Sequence, residues 1–299
     1  HVIWQERNHW PLLEFMHNAT SRKMAPISTT SFLLRQMIQM NPGTVWLWVL
    51  GLLWGLRPAE RARGRVLATA FLIALAIVLS TGKSRTSYLA VAYPMLLALG
   101  GVAAEQLAAP RRWLRPIMVL PILALGALAL PFAIPILPVA AFVRFERALG
   151  REPQTDERQS MGSLPQQYAD MFGWPEMTAL VAKAYARLTP EERRHCRVFG
   201  QNYGEAGAID VLGRKLGLPR AISGHNSYWL WGPGDFDGSV LIIIGGDRED
   251  NAKFFEQIEI VGQTSSPWSM PYERGLDVSI ARRPRVGLRT AWPQLKNYI

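Results

Sequence analysis

The first half of the chain consists of long apolar runs separated by short polar loops. Apolar residues fill positions 42–56, 66–81, 86–107 and 117–143 almost without interruption. A membrane-spanning helix needs roughly 20 apolar residues, so the third and fourth runs are long enough, whereas the first two are short unless the bilayer thins. Nothing in this half supplies the polar faces that buried helices of a soluble protein show. We therefore predict a polytopic α-helical membrane region of about four spans over residues 42–143.

The fourth apolar run contains prolines at four positions, Pro121, Pro131, Pro135 and Pro138. Proline lacks the backbone N–H that a helix needs, so we expect the hydrogen-bond ladder to break in several places. The second half of this run is then expected to lie at the interface or against other helices.

The rest of the chain alternates apolar and polar residues as globular domains do. Residues 1–41 form a predicted outer juxtamembrane segment, in which 31–40 has the pattern of a helix that lies on the membrane or on other helices. Helices are predicted at 174–188, 205–216, 249–258 and 288–295, and strands at 196–200, 240–244, 260–264 and 277–281. Helices that alternate with strands indicate a small three-layer α/β domain within residues 144–299.

The charge distribution predicts the orientation of the membrane region. The chain has 33 Lys and Arg residues against 23 Asp and Glu residues, a formal net charge of +10. The arginines form no helical stripe and do not alternate with stacking aromatics, which argues against nucleic acid as a partner. Many lie in two alternate loops, one with Arg57, Arg61, Arg63 and Arg65 and one with Arg111, Arg112 and Arg115. The positive-inside rule makes these loops cytoplasmic, so residues 1–41, 81–87 and 144–299 are predicted outside.

The ends and the cysteine content give two further expectations. The sequence begins at His1 within a polar, Trp-rich stretch without a signal-peptide pattern, and we expect it to be the C-terminal part of a longer protein. Cys196 is the single cysteine, so the outer domain must depend on its apolar core and not on an internal disulfide.

Lys83 and Arg85 are cations on the side of the membrane where positive charge near a span is disfavoured. One interpretation is that they anchor a helix end by reaching towards the lipid headgroups. The other is that they bind an anion of the outer membrane surface, such as a lipid phosphate, since Lys supplies a point charge and Arg a planar fork of donors.

Two weaker patterns bear on metal and anion binding. His9, Glu14 and His17 have a spacing that matches no known set of metal ligands, so no metal site is predicted. The stretch FGQNYGEAGAID at 199–210 lacks the glycine spacing of nucleotide-binding loops. The helix that follows it remains an alternative site for some other anion.

The stretch SGHNSYWLWGP at 223–233 concentrates aromatic, amide and imidazole groups, namely His225, Asn226, Tyr228, Trp229 and Trp231. Such side chains can stack on a sugar ring and bond its hydroxyls, which would make the outer domain an acceptor-binding module. They can equally pack the domain onto the membrane part.

An ordered series of motifs resembles the C-terminal half of bacterial family-39 glycosyltransferases of the GT-C superfamily, which are similar to aminoarabinose transferases and protein mannosyltransferases. The series is WQxRxxWPxLEF, GKS with YLAVAYP, NYGEAGAIDVLG, SGHNSYWLWGP, GGDRED and WPQLKNYI. This resemblance implies a multi-pass enzyme of the bacterial inner membrane with a periplasmic C-terminal domain. It also implies transfer of a sugar from a polyprenyl-phosphate carrier to a lipid, glycan or protein acceptor, without a further cofactor.

The resemblance also implies roles for individual residues. A basic residue ahead of a YYLAPAYP-like string corresponds to Lys83, and the string begins at Tyr88, so Lys83, Arg85 and Tyr88 are the predicted donor-phosphate site. This chain has Ser84 to Ser87 in between and Val91 where proline is common, which leaves open whether Lys83 or Arg85 faces the phosphate. The catalytic carboxylate of the family is expected upstream of His1, so no catalytic residue is predicted within these residues.

A non-catalytic function is the alternative interpretation. An outer α/β domain on a membrane anchor is also compatible with an envelope scaffold or with a partner of a lipid flippase. The spans carry no chemistry of their own that decides between these functions.

Overall fold

The structure, a computed structural model, describes residues 1–57 and 62–299, and for residues 62 and 63 it describes the backbone alone. Internal contacts divide the chain into two units. The helical unit comprises Lys23–Glu152 and Asp156–Arg158, and the sheet unit comprises His1–Arg22, Pro153–Thr155 and Gln159–Ile299. The predicted segment 1–41 is therefore divided between the units, and residues 144–152 belong to the helical unit and not to the α/β domain. Within the first predicted arginine cluster, Arg61 and the side chain of Arg63 lie outside the described residues.

Helices occur in both units. In chain order they are α1 (Val2–Arg7), α2 (Pro11–Asn18), α3 (Thr29–Gln39), α4 (Val45–Gly55), α5 (Ala62–Ser80), α6 (Tyr93–Ala108), α7 (Leu114–Ala133), α8 (Val139–Ala148), α9 (Gln166–Ala169), α10 (Trp174–Ala186), α11 (Pro190–Arg194), α12 (Tyr203–Leu212), α13 (Ser227–Trp231), α14 (Arg248–Phe254) and α15 (Leu288–Ala291). Helices α3 to α8 belong to the helical unit and the others to the sheet unit.

The first three predicted apolar runs each form one helical segment, and the fourth forms two, α7 and α8. Two helical segments, Thr86–Ala108 and Leu114–Ala133, are long and apolar enough to cross a membrane. The apolar helices Pro42–Gly55 and Gly64–Ser80 are shorter. The prediction of a largely helical, apolar first half is confirmed, and two of its helices have the length of a membrane span.

Helices α4 and α6 pack closely through glycines. A Cβ atom on Gly51 would lie 2.0 Å from the carbonyl oxygen of Leu96, and one on Gly100 would lie 2.1 Å from that of Leu47. Only glycine allows this backbone approach. Small residues at a close helix crossing are typical of helices that pack in a membrane, where apolar side chains gain nothing by leaving lipid.

The prolines of the fourth run interrupt the chain less than expected. Helix α7 continues through Pro121 and Pro131, and the helical structure stops only between Ile134 and Pro138, before α8 begins. Beside Pro121, the Asn41 Nδ2 donates a 3.0 Å hydrogen bond to the carbonyl of Ile122.

The sheet unit contains a five-stranded mixed sheet of order β2-β1-β3-β5-β4. Its strands are β1 (Cys196–Gly200), β2 (Ala221–Ile222), β3 (Val240–Ile244), β4 (Phe255–Gln263) and β5 (Asp277–Pro284). Strands β2, β1 and β3 run parallel, and β5 is antiparallel to both β3 and β4. Apolar clusters lie on both faces of the sheet, one with α10 and α12 and one with α15, so the predicted α/β character is confirmed.

The largest difference from the predicted elements concerns β4. The sequence predicted a helix up to Ile258, but α14 ends at Phe254 and β4 begins at Phe255. Pairing with β5 explains the difference, because Ile258 lies opposite Ala281 and Ile260 opposite Ser279. The two-residue strand β2 carries too short a pattern to be recognised from sequence.

The C-terminal segment packs on the middle of the sheet unit. Asn297 forms a parallel bridge with His225, and a Cβ atom on Gly224 would lie 1.8 Å from the Leu295 carbonyl oxygen. The N-terminal helices contact the same segment, since Lys296 Nζ lies 2.6 Å from Glu14 Oε2 and Asn18 Nδ2 donates to the Tyr298 carbonyl at 2.8 Å. Three of the sequence motifs therefore meet in one place.

Candidate functional site

The two predicted cations lie on the connection between α5 and α6. Helix α5 ends at Ser80, residues 81–85 have no regular structure, and a 3₁₀ helix over Thr86–Ala92 leads into α6. Lys83 and Arg85 are both half-buried on this connection. The 3₁₀ helix is anchored by Thr86, whose side chain is buried and whose carbonyl oxygen accepts a 2.7 Å bond from Gln36 Nε2.

Arg85 is paired with a carboxylate. Its Nη2 contacts Glu157 Oε1, and Lys23 Nζ lies 3.6 Å from the same oxygen. The Glu157 side chain is only 3% exposed, so this carboxylate needs compensating positive charge. The Arg85 Nε is also buried and has no hydrogen-bond partner among the described residues. Arg85 is thus fixed in place and retains unused donors.

The neighbouring Asp156 fastens the start of the 3₁₀ helix. Its Oδ2 accepts 3.1 Å hydrogen bonds from both the N–H and the Oγ1 of Thr86, and its Oδ1 lies 2.7 Å from Arg35 Nη1. Backbone pairing holds residues 156–158 beside residues 23–25, with Ala25 N–H donating to the Asp156 carbonyl at 3.0 Å. Asp156 and Glu157 together position the cationic connection.

This cation cluster, defined as Lys23, Arg35, Lys83, Arg85, Asp156 and Glu157, has four positive and two negative side chains and therefore an excess of positive charge. Lys83 makes no ion pair with any residue that the structure describes. Tyr88 lies on the 3₁₀ helix with 52% of its surface exposed. Lys83 lies two positions before Arg85, so one short connection carries an unpaired ammonium and a fixed guanidinium, which are suited to bind an anion.

Asp156 and Glu157 could not be recognised as part of this site from the sequence. They follow the last predicted span and lie 70 and 72 positions from Thr86 and Arg85. Adjacent carboxylates just beyond a membrane region are the one local signal, and that pattern is common on protein surfaces.

The predicted aromatic segment has structural partners within the sheet unit. His225 is buried; its Nδ1 accepts from the Tyr203 N–H at 3.3 Å and its Nε2 lies 3.0 Å from the Ile299 carbonyl oxygen. Asn226 exchanges two 3.2 Å hydrogen bonds with the backbone of Ile299. These two side chains hold the end of the chain.

Of the three aromatic side chains of this segment, two form hydrogen bonds within the sheet unit and one is largely exposed. Tyr228 donates a 2.9 Å hydrogen bond from its hydroxyl to Asp210 Oδ2, and Trp229 and Trp292 exchange two 3.1 Å bonds between indole N–H groups and carbonyl oxygens. Trp231 is 67% exposed and packs edge-on against Tyr228. Within this segment, only the Trp231 ring has a largely open surface.

A buried acidic pair lies at the start of α12 and was not predicted. Asn202 Nδ2 donates to Glu205 Oε1 at 2.9 Å and to Glu273 Oε1 at 3.0 Å, and Glu205 Oε2 accepts from the Gln201 N–H at 2.6 Å. Burial, reinforced by the charge of Glu273, raises the pKa of Glu205 to about 8. Because these carboxyl groups occupy the start of α12, the structure argues against the alternative that this helix binds another anion.

Two further observations bear on possible ligands and relatives. In the part of the chain that the structure describes, no group of three or more His, Cys, Asp and Glu side chains is arranged to hold a metal ion. A comparison with known protein families, with curated proteins and with solved structures finds no match for this chain.

Proposed function

We propose that this chain is part of a membrane glycosyltransferase that moves a sugar from a polyprenyl-phosphate carrier to an envelope acceptor. In this proposal the chain crosses the bacterial inner membrane about four times, with the shorter helices tilted or in a thinned bilayer, and its sheet unit is periplasmic. The observation that carries the proposal is the excess positive charge of the cation cluster, beside a membrane-length helix. The motif series that resembles family-39 enzymes supports the same function.

The chemistry of the transfer assigns a task to each cation. The bond between the sugar and the phosphate breaks, and the carrier phosphate leaves with additional negative charge. Lys83 offers an ammonium to that phosphate, and Arg85, whose side chain is 38% exposed, offers the guanidinium N–H groups that Glu157 does not use. Glu157 and Asp156 are positioning residues, because they act by fixing Arg85 and the 3₁₀ helix. The general base is proposed to come from a carboxylate outside these residues.

Sugar transfer in membranes from the full-length protein tests the proposal. A lost charged hydrogen bond costs roughly 1.5–3 kcal/mol, so Lys83→Ala is expected to reduce the transfer rate roughly tenfold to a hundredfold while membrane insertion is unchanged. Lys215→Ala, an exposed lysine of the sheet unit, is the matched control and is expected to keep the full rate. Full transfer by Lys83→Ala and by the Lys83→Ala, Arg85→Ala double variant would refute the phosphate-binding role.

A non-catalytic envelope scaffold is the second candidate function. The observation in its favour is that Glu157 pairs with Arg85 and that His225, Asn226, Tyr228 and Trp229 serve to hold their own unit together. A scaffold would leave cells that lack the protein with normal transfer activity but with a disrupted assembly. An acceptor site at the exposed Trp231 would instead give a transfer defect in Trp231→Ala.

A further inference from the structure

A cavity of about 210 Å³ lies on one face of the sheet in the sheet unit. Its floor is formed by Phe199, Leu241 and Ile243 of strands β1 and β3, and its walls include Phe254 and Leu288. Roughly 150 Å³ of apolar cavity suffices to hold a benzene ring, so this cavity has room for one ring-sized ligand. Asp247, Asp250 and Val286 line it as well and are exposed, so the cavity reaches the surface.

The cavity lies at the topological switch point of the sheet. The connection after β1 leads to β2 on one side and the connection after β3 leads to β4 on the other side, so the two connections leave the sheet in opposite directions. Gln201 directly follows β1, Gly246 follows β3 after one residue, and both line the cavity. In α/β sheets, ligands bind in the crevice outside the carboxyl ends of the strands at such a point.

Two side-chain amides converge at the entrance above Gly246. Gln201 Nε2 lies 2.7 Å and Asn251 Oδ1 3.3 Å from the position that a Cβ atom on Gly246 would take. Gly246 has a φ of +77°, which favours glycine, so this position stays free of a side chain. The Gln201 amide makes no hydrogen bond to any described residue, and Asn251 uses only its Nδ2, towards the Gly245 carbonyl at 3.4 Å. Donors and acceptors are therefore available to a ligand.

The charges that line the cavity disfavour an anionic ligand. Asp247 and Asp250 both line it, and Asp250 is paired with Lys253 Nζ at 2.5 Å. Asp247 caps α14 and accepts from the backbone N–H groups of Glu249 at 2.8 Å and Asp250 at 3.3 Å, so these two amides are already used. A wholly apolar ligand, in turn, would leave the two amides without partners.

We propose that this cavity is a binding site for a neutral saccharide, with one pyranose ring on the apolar floor and its hydroxyl groups at Gln201 and Asn251. A pyranose has the required size, an apolar face of C–H groups and a rim of hydroxyls. This site goes beyond the proposed transfer reaction, since it requires neither the lipid carrier nor the cation cluster.

Saturation-transfer NMR on the whole chain in detergent micelles tests this site. The probes are the methyl glycosides of glucose, galactose, mannose and N-acetylglucosamine, and at least one is expected to show saturable binding. Val286→Trp fills the cavity from its exposed edge and is expected to abolish the signal. The matched control Val211→Trp, on the exposed surface of α12, is expected to keep it. Asn251→Ala removes one hydrogen bond and is expected to weaken binding about fivefold.

Three results would overturn the proposal: no signal from any of the four glycosides, an equal signal in Val286→Trp and the parent chain, or binding of adenosine in place of the glycosides. Thermal melting of each variant separates loss of the site from loss of the fold. If Val286→Trp melts early, Gln201→Ala and Asn251→Ala decide, and unchanged affinity in both refutes the site.

Discussion

The buried acidic pair at the start of α12 makes the stability of the sheet unit depend on pH. Glu205 is 2% exposed and shares the Asn202 amide with Glu273. Glu205→Gln replaces the carboxyl group by a neutral amide of nearly the same shape. The amide oxygen can still accept from the Gln201 N–H, whereas the bond from Asn202 Nδ2 to Oε1 is lost at every pH. The pH-dependent part of the stability change therefore reports the removed charge.

The change in the free energy of unfolding follows from the pKa of Glu205, which burial raises from 4.5 to about 8. At about 1.36 kcal/mol per pH unit, the difference between these two pKa values makes Glu205 contribute at most about 5 kcal/mol to the pH dependence of unfolding. Part of the rise is due to the Glu273 charge, so we expect at least about 2 kcal/mol from Glu205 itself.

The sign is set by proton binding. Between pH 4.5 and about 8 the folded protein holds a proton on Glu205 that the unfolded chain has lost. The favourable contribution is complete below pH 4.5 and decreases as the pH rises through this window, so the parent chain is least stable at alkaline pH. Glu205→Gln has no ionisable group at this position, so its stability does not decrease for this reason as the pH rises.

Thermal melts of the parent chain and Glu205→Gln at pH 5 and pH 9 test the reasoning. The melting temperature of the variant relative to that of the parent chain is expected to rise by about 4–8 °C between pH 5 and pH 9, at about 2–4 °C per kcal/mol. Glu256→Gln changes an exposed carboxylate on β4 and serves as the control. A difference between parent and Glu205→Gln that is the same at both pH values would refute the buried-charge argument.

Three further substitutions test the packing. Gly100→Ala places a Cβ atom 2.1 Å from a carbonyl oxygen of the facing helix and is expected to lower the melting temperature of the helical unit strongly. The control Gly101→Ala, with nothing within 4 Å, is expected to be neutral or slightly stabilising. Equal effects of the two substitutions would contradict the close crossing. Gly224→Ala is expected to release the C-terminal segment, seen as rapid hydrogen exchange at residues 292–299, while Gly287→Ala, which meets no atom within 4 Å, is expected to leave exchange unchanged. Glu157→Gln leaves Arg85 without its anion and is expected to destabilise the helical unit by about 1–3 kcal/mol in denaturant melts, and no loss would show that the pair contributes nothing.

Sequence patterns correctly predicted the elements whose conformation is determined by neighbouring residues in the sequence. The apolar run at Val240–Ile244, closed by two glycines, is β3, and the four long apolar runs are helical except at residues 134–138. The pattern failed at residues 255–258, because pairing with β5 decides their conformation and a short apolar alternation fits a helix as well.

In the candidate site, too, residues could be predicted where the neighbouring sequence identifies them, and not where their partners are far away in the sequence. Lys83 and Arg85 stand out in the sequence as cations beside apolar runs, so they could be selected without a structure. Glu157, which pairs with Arg85, is 72 positions away, and no periodicity connects the two. The partners of His225 and Asn226 are likewise at the chain terminus, so sequence alone left sugar binding and packing equally open.

Binding of a polyprenyl phosphate to this chain in lipid nanodiscs tests the central claim most directly, because binding does not depend on the general base of the reaction. The parent chain and Lys215→Ala are expected to bind the lipid with the same affinity, and Lys83→Ala is expected to bind it about tenfold more weakly, with a weaker dependence on salt. Equal affinities of Lys83→Ala and the parent chain, or no binding by the parent chain, would contradict the account.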